Sequence, residues 1–70
     1  MINKHEFYLN SIKYSCSQKI SLKTLLLYFD YSSKLIVLEY NGLVCSKSKW
    51  NKIIIKSGDR IELVTIVGGG

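Results

Sequence analysis

Proline is absent from this chain, and cysteine, histidine, arginine and acidic side chains are all scarce. The two cysteines, Cys16 and Cys45, lie far apart, with no Cys-x-x-Cys pair and no neighbouring histidine. That spacing excludes a zinc motif and points to two buried or half-buried thiols in a reducing compartment. The longest apolar runs, Leu25-Leu26-Leu27 and Ile53-Ile54-Ile55, are far shorter than the ~20 residues a membrane-spanning helix needs. The segment Met1-Ile2-Asn3-Lys4-His5-Glu6 lacks the apolar stretch of a secretory signal. A soluble cytoplasmic protein with no membrane role is expected. No grouping of nucleophile, base and orienting residue appears either, so no catalytic side chain is expected and the chain reads as a non-enzyme.

What the chain does contain is apolar bulk, 47% of its 70 residues, enough for a small core. A domain of this size buries only about 60% of the surface its unfolded chain exposes, so its stability depends on that core. The formal net charge of +5 raises nucleic acid as a partner. The positive residues, however, are nearly all single lysines, at 4, 13, 19, 23, 34, 47, 49, 52 and 56, with one arginine at 60. A nucleic-acid groove more often combines clustered arginine with exposed aromatics, so a solvated surface is the favoured reading. The richness in Lys, Ile, Asn, Tyr and Ser resembles the product of an AT-rich genome. Were the gene encoded in an organelle, the plastid stroma would be the working compartment.

Residues 1–66 contain no linker or repeat and read as one domain, followed by a glycine-rich tail over 67–70. Phe7 to Cys16 alternates around Asn10-Ser11, which predicts a β-hairpin with Phe7, Leu9, Ile12, Tyr14 and Cys16 as its apolar set. Leu22, Leu25, Leu26 and Phe29 then fall at i, i+3, i+4 and i+7, one face of a helix capped by Ser21. Leu27 and Tyr28 widen that stripe. Lys34 to Tyr40 predicts a third strand ended by the Asn41-Gly42 turn. Residues 43–56 stay open: Leu43-Val44-Cys45 reads as extended, and Ser46 to Trp50 as a capped helical turn. Ser57-Gly58-Asp59 is a further turn, and Arg60 to Val67 the last strand. On it Ile61, Leu63 and Thr65 share one face, and Glu62, Val64 and Ile66 the other. One helix across a mixed sheet of four or five strands, with the last strand beside the first, is an α+β, β-grasp arrangement. His5 reads as a solvated terminal side chain, and Trp50 as a partly buried packing residue. Cys45 has nothing nearby to activate it as a thiol.

The last strand runs into Gly68-Gly69-Gly70. Glycine loses more freedom on ordering than any other residue, so a glycine triplet adds nothing to a core. It does make a thin tail, and four extended residues from Val67 reach roughly 13 Å. The carboxylate of Gly70 could then be presented inside another protein's active site. A carboxylate is a poor acyl donor until an enzyme transfers AMP to it from ATP; a sulfur nucleophile can then displace AMP and leave a thiocarboxylate. Catalytic groups, nucleotide and Mg²⁺ would belong to the activating enzyme, and the carrier itself would bind no cofactor and no metal. A frayed terminus is the bland alternative for the same glycines.

Read together, Val37-Leu38-Glu39-Tyr40-Asn41-Gly42, Val44, Trp50, Lys56 to Val64 with its Gly58-Asp59-Arg60, and Val67-Gly68-Gly69-Gly70 resemble the ThiS family, the sulfur carriers of thiamine thiazole synthesis. The resemblance runs from Phe7 to Gly70. It implies a ubiquitin-like β-grasp fold, with Gly70 as the residue adenylated and thiocarboxylated, and Gly69 and Gly68 as the tail that carries it. The partners it implies are a ThiF-like adenylating enzyme using ATP with Mg²⁺, a sulfurtransferase or cysteine desulfurase, and thiazole synthase. Val64, Ile66 and Val67 are the docking candidates. Related carriers often dock through acidic residues, of which this chain has Glu6, Asp30, Glu39, Asp59 and Glu62.

Other readings share the same pattern. A molybdopterin-synthase small subunit or a ubiquitin-like modifier would use the same fold and tail chemistry. A small basic nucleic-acid module would bind with steep salt dependence and without need of the tail.

Overall fold

A computed structural model describes residues 4–31 and 35–65. Its elements in chain order are β1 (His5–Leu9), β2 (Ile12–Cys16), α1 (Leu22–Tyr28), β3 (Ile36–Tyr40), β4 (Leu43–Cys45), a 3₁₀ turn (Lys47–Lys49) and β5 (Arg60–Thr65). The five strands form one mixed sheet in the order β2-β1-β5-β3-β4. β5 is central, parallel to β1 and antiparallel to β3. The expected β-grasp arrangement is borne out, with five strands and the last beside the first.

Both hairpins turn on left-handed residues: Asn10 and Ser11 at φ 50° and 68°, then Asn41 and Gly42 at 53° and 86°. Paired positive φ values match the right-handed twist of the flanking strands, and Asn tolerates them better than most side chains. Nothing lies within 4 Å of where a Cβ of Gly42 would be, so backbone conformation, not space, selects glycine there.

The helix begins where its donors find partners. Ser21 Oγ accepts from Thr24 N at 3.1 Å, the expected cap. The amides of Leu22 and Lys23 donate to the carbonyls of Ile53 and Trp50, both at 3.0 Å. It ends at Asp30 (φ 62°), with Asp30 N on Leu27 O and Tyr31 N on Leu26 O, a Schellman closure.

The core lies between α1 and one sheet face: Phe7, Leu9, Leu22, Leu25, Leu26, Leu38, Trp50, Ile55, Ile61 and Leu63. Three expectations fail at its margins. Ile12 is 57% exposed, because it opens β2 at the hairpin tip, beyond the reach of the helix. Leu27 and Tyr28 are exposed at 54% and 81%, since a helix of seven residues presents only one stripe to the sheet. His5 is half-buried in β1 opposite Cys16, not a solvated terminus. Trp50 is buried, and its Nε1 donates to the Cys45 carbonyl at 3.1 Å. Both cysteines are free and half-buried.

Residues 43–56 resolve into β4, the 3₁₀ turn and a run stitched to the start of α1. Ile55 N donates to Ile20 O at 2.9 Å, and Ser21 bridges Ile54. Ser46 precedes the 3₁₀ turn but makes no side-chain cap bond, so only half of the expected capped turn is present.

Candidate functional site

Gly68, Gly69, Gly70, Ile66 and Val67 lie outside the described residues, so the structure informs the site through the strand that leads to them. β5 is held from both sides by two asparagine side chains. Asn10 Oδ1 accepts from Leu63 N at 2.7 Å, and Asn41 Oδ1 accepts from Arg60 N at 2.8 Å. Each asparagine sits in a hairpin turn where left-handed φ swings its side chain toward β5. Each then supplies the acceptor that a further strand residue would have supplied. The backbone amides complete the pattern: Tyr8 N on Asp59 O, Asn10 N on Ile61 O and Asn41 N on Arg60 O, all at 2.8 Å.

Asp59 closes this arrangement. It is 7% exposed and opens β5 from the turn made with Gly58 (φ 88°). Its carboxylate accepts from the Tyr40 hydroxyl, from Asn41 Nδ2 at 3.1 Å and from Lys56 N at 2.8 Å. Burial first, then the Asp59 hydrogen bond and charge, push the Tyr40 hydroxyl from 10.0 up to about 12. The segments that carried the family resemblance, Tyr40-Asn41-Gly42 and Gly58-Asp59-Arg60, are thus one latch. From the sequence, Asp59 was read as a turn residue, as part of the family pattern and as one of five acids, but not as the centre of a hydrogen-bond cluster. The signal available was an acid standing alone between Lys56 and Arg60 behind a glycine, with a Tyr-Asn pair elsewhere able to reach it.

The face of the sheet away from α1 is uncovered among the described residues. Cross-strand register places Val37 opposite Val64, Glu39 opposite Glu62, and Val44 opposite Glu39. Val64 is 58% exposed and Val44 71%, so the sequence reading of Val64 as an open-face residue holds in position. Glu6, Tyr8, Lys13 and Arg60 occupy the other end of this face. There Lys13 Nζ lies 3.4 Å from Glu6, and Arg60 sits over the Tyr8 ring at 5.0 Å.

On the opposite side, a groove of about 400 Å³ runs between β2 and α1, bordered by Tyr14, Cys16, Tyr28 and Phe29. Its thiol donates to the Gln18 carbonyl at 3.2 Å, and no base accompanies it. Among the described residues no three His, Cys, Asp or Glu side chains gather to hold a metal, and no helix is long and apolar enough to cross a membrane. What the described residues offer is an uncovered sheet face and a strand, β5, held on the β3 side up to Thr65 and on the β1 side up to Leu63.

Comparisons agree with this geometry. The profile of the ThiS family matches residues 7–70. A protein of Trieres chinensis named "Uncharacterized protein ycf40" is 52% identical over 64 residues, covering 91% of this chain and 88% of the relative. The ycf40 protein of Porphyra purpurea is 37% identical over 71 residues, covering both chains fully. The crystal structure of the thiamine biosynthesis protein ThiS from Geobacter metallireducens superposes with a TM-score of 0.77, at 20% identity, over 93% of this chain and 99% of that one.

Proposed function

We propose, from the premise that this chain belongs to the ThiS family, that it is a sulfur carrier whose Gly70 carboxylate is adenylated, converted to a thiocarboxylate and spent in building the thiazole ring of thiamine. Carriers of this family are substrates of their partner enzymes and not enzymes themselves. The observation that carries the reading is the family match continuing from the latch strands through β5 into the glycine tail.

In the first step the carboxylate oxygen attacks the α-phosphorus of ATP and pyrophosphate leaves. Mg²⁺ and basic groups of the partner, a ThiF-like enzyme, offset the phosphate charge. Sulfur carried as a persulfide by a cysteine desulfurase or sulfurtransferase and released at the hydrosulfide level by a thiol reductant, which ends as a disulfide, then attacks the acyl carbon and AMP leaves. One oxygen is exchanged for sulfur with no redox change at that carbon. Thiazole synthase takes the sulfur onward. The chain contributes reach, thinness and a docking face that includes Val64, Ile66 and Val67. The plastid stroma is the proposed compartment, supported by the ycf40 designation of its relatives and by the AT-rich composition.

Intact mass spectrometry tests this directly. Incubation with ATP, Mg²⁺, an adenylating partner and a sulfur source replaces one oxygen of Gly70 by sulfur, and removal of Gly69-Gly70 abolishes the change. An unaltered mass with a partner proven active on another carrier refutes the reading.

A further inference from the structure

The main-chain groups of β5 alternate between its two neighbours, and the pattern can be followed to its end. Arg60 uses both its N–H and its C=O toward Asn41, on the β3 side. Asp59 O, Ile61 O and Leu63 N all face β1 and its turn. By the two-residue period of a strand, Leu63 C=O and Thr65 N–H point the same way as Leu63 N.

Among the described residues no strand is there to meet them. β1 ends at Leu9 and the chain reverses through Asn10-Ser11, so the carboxamide of Asn10 is the last acceptor on that side. On the other side β3 continues to pair as far as Ile36 opposite Thr65. The sheet therefore has a notch, one strand wide, beside the root of the tail.

Sheet edges are ordinarily protected by charge, proline, bulges or shortness. Here β2 carries Lys13 as its second residue and β4 has only three residues. The notch, by contrast, borders Leu63-Val64-Thr65, uncharged, largely β-branched and free of proline. The unguarded stretch of edge lies immediately before the tail that would enter a partner.

We infer that an extended segment of the activating enzyme fills this notch as an added strand, taking Thr65 N–H and giving a donor to Leu63 C=O. Resting on the carrier reading above, this makes recognition of the tail root a main-chain event, tolerant of side-chain change. The grip lies immediately before the residues to be threaded, and it sets their direction.

Two variants test it: Thr65→Pro, and a semisynthetic protein in which the Thr65 amide is an ester. Each removes the notch donor; proline keeps the amide carbonyl of Val64 in the β3 ladder, which uses Val64 and Glu62, whereas the ester weakens that carbonyl as an acceptor. The ester also keeps the backbone freedom that proline restricts. The readouts are thermal unfolding of the free protein, and kcat and KM for the carrier in adenylation. Melting held by proline and lowered only slightly by the ester, with unchanged kcat and a KM raised about tenfold in both, as for one lost hydrogen bond, supports the inference. If the wild type is adenylated and the ester variant matches its KM, the inference fails and the carrier reading stands. If the wild type is never adenylated, both fail. A concentration-dependent dimer lost in Thr65→Pro would assign the notch to a second copy and overturn the partner strand.

Discussion

Replacing Asp59 by Asn preserves shape and changes only hydrogen-bonding character, so it isolates the latch. Asn41 cannot adapt. Its Oδ1 accepts from Arg60 N, a backbone donor that must meet an oxygen, and this fixes Nδ2 toward Asp59. Lys56 N and the Tyr40 hydroxyl both donate to the other carboxylate oxygen. An asparagine at 59 has one oxygen for these three donors. If that oxygen serves Lys56 and Tyr40, its amide nitrogen faces Asn41 Nδ2, donor against donor. One charge-assisted bond is lost and two become neutral. With bonds to charged groups worth about 1.5–3 kcal/mol and neutral ones about 1, and with relief of the buried carboxylate's desolvation offsetting part of the loss, the cost is about 2–3 kcal/mol. A chain of 70 residues has roughly 3.5–10 kcal/mol in all. The melting temperature should fall by on the order of 10–20 °C. Urea unfolding followed by the fluorescence of Trp50 and by circular dichroism measures it, and Tyr40→Phe combined with Asp59→Asn completes a double-mutant cycle. A change below about 0.5 kcal/mol, or strict additivity of the two substitutions, would refute the latch as the device that sets the start of β5.

Tyr40 gives a pH signature of the same contact. Its hydroxyl ionises at about 12 when folded against 10.0 ordinarily, so its contribution is complete below pH 10 and is lost as pH rises from 10 toward 12. Alkaline unfolding at fixed urea should steepen in that window and flatten in Tyr40→Phe. Ultraviolet titration should show one late tyrosinate that this substitution removes. On the open face, Glu39 and Glu62 are directly opposite like charges. Glu62→Lys should stabilise the free protein by about 0.2–1 kcal/mol, with the gain shrinking in high salt during urea unfolding.

The parts of the fold legible in the sequence were those decided by nearest neighbours along the chain. Leu22, Leu25, Leu26 and Phe29 announced a helix because 3.6-residue periodicity and a serine cap are local properties. Asn41-Gly42 announced a hairpin because left-handed φ restricts residue type. Residues 43–56 were left open, since the path of their later part is set by carbonyls meeting the start of α1, contacts some thirty residues distant that leave no period behind. Ile12, Leu27 and Tyr28 were misread for a related reason. Apolar character shows that a residue can be buried, and only the length of the covering helix decides whether it is. The Gly-Asp-Arg and Asn-Gly segments were legible as a family pattern before their physical purpose was, because Asp59 and Asn41 act on each other across 18 residues.

The charge of the chain and the charge of its open face differ in kind, and only the second bears on docking. Among strand residues, that face carries Glu6, Glu39 and Glu62 against Lys13 and Arg60. Lys13 is already engaged with Glu6. Lys19, Lys23, Lys47, Lys49, Lys52 and Lys56 sit on the helix and the connecting segments instead, with no acid between Tyr40 and Gly58 to balance the last four. At physiological salt, fields fade over about 8 Å, so a partner on the sheet face meets the local glutamates before the distant lysines. The net charge of +5 is therefore no obstacle to an acidic docking face. The pair Glu39 and Glu62, like charges directly opposite in the free protein, would become favourable with a cation of a partner between them.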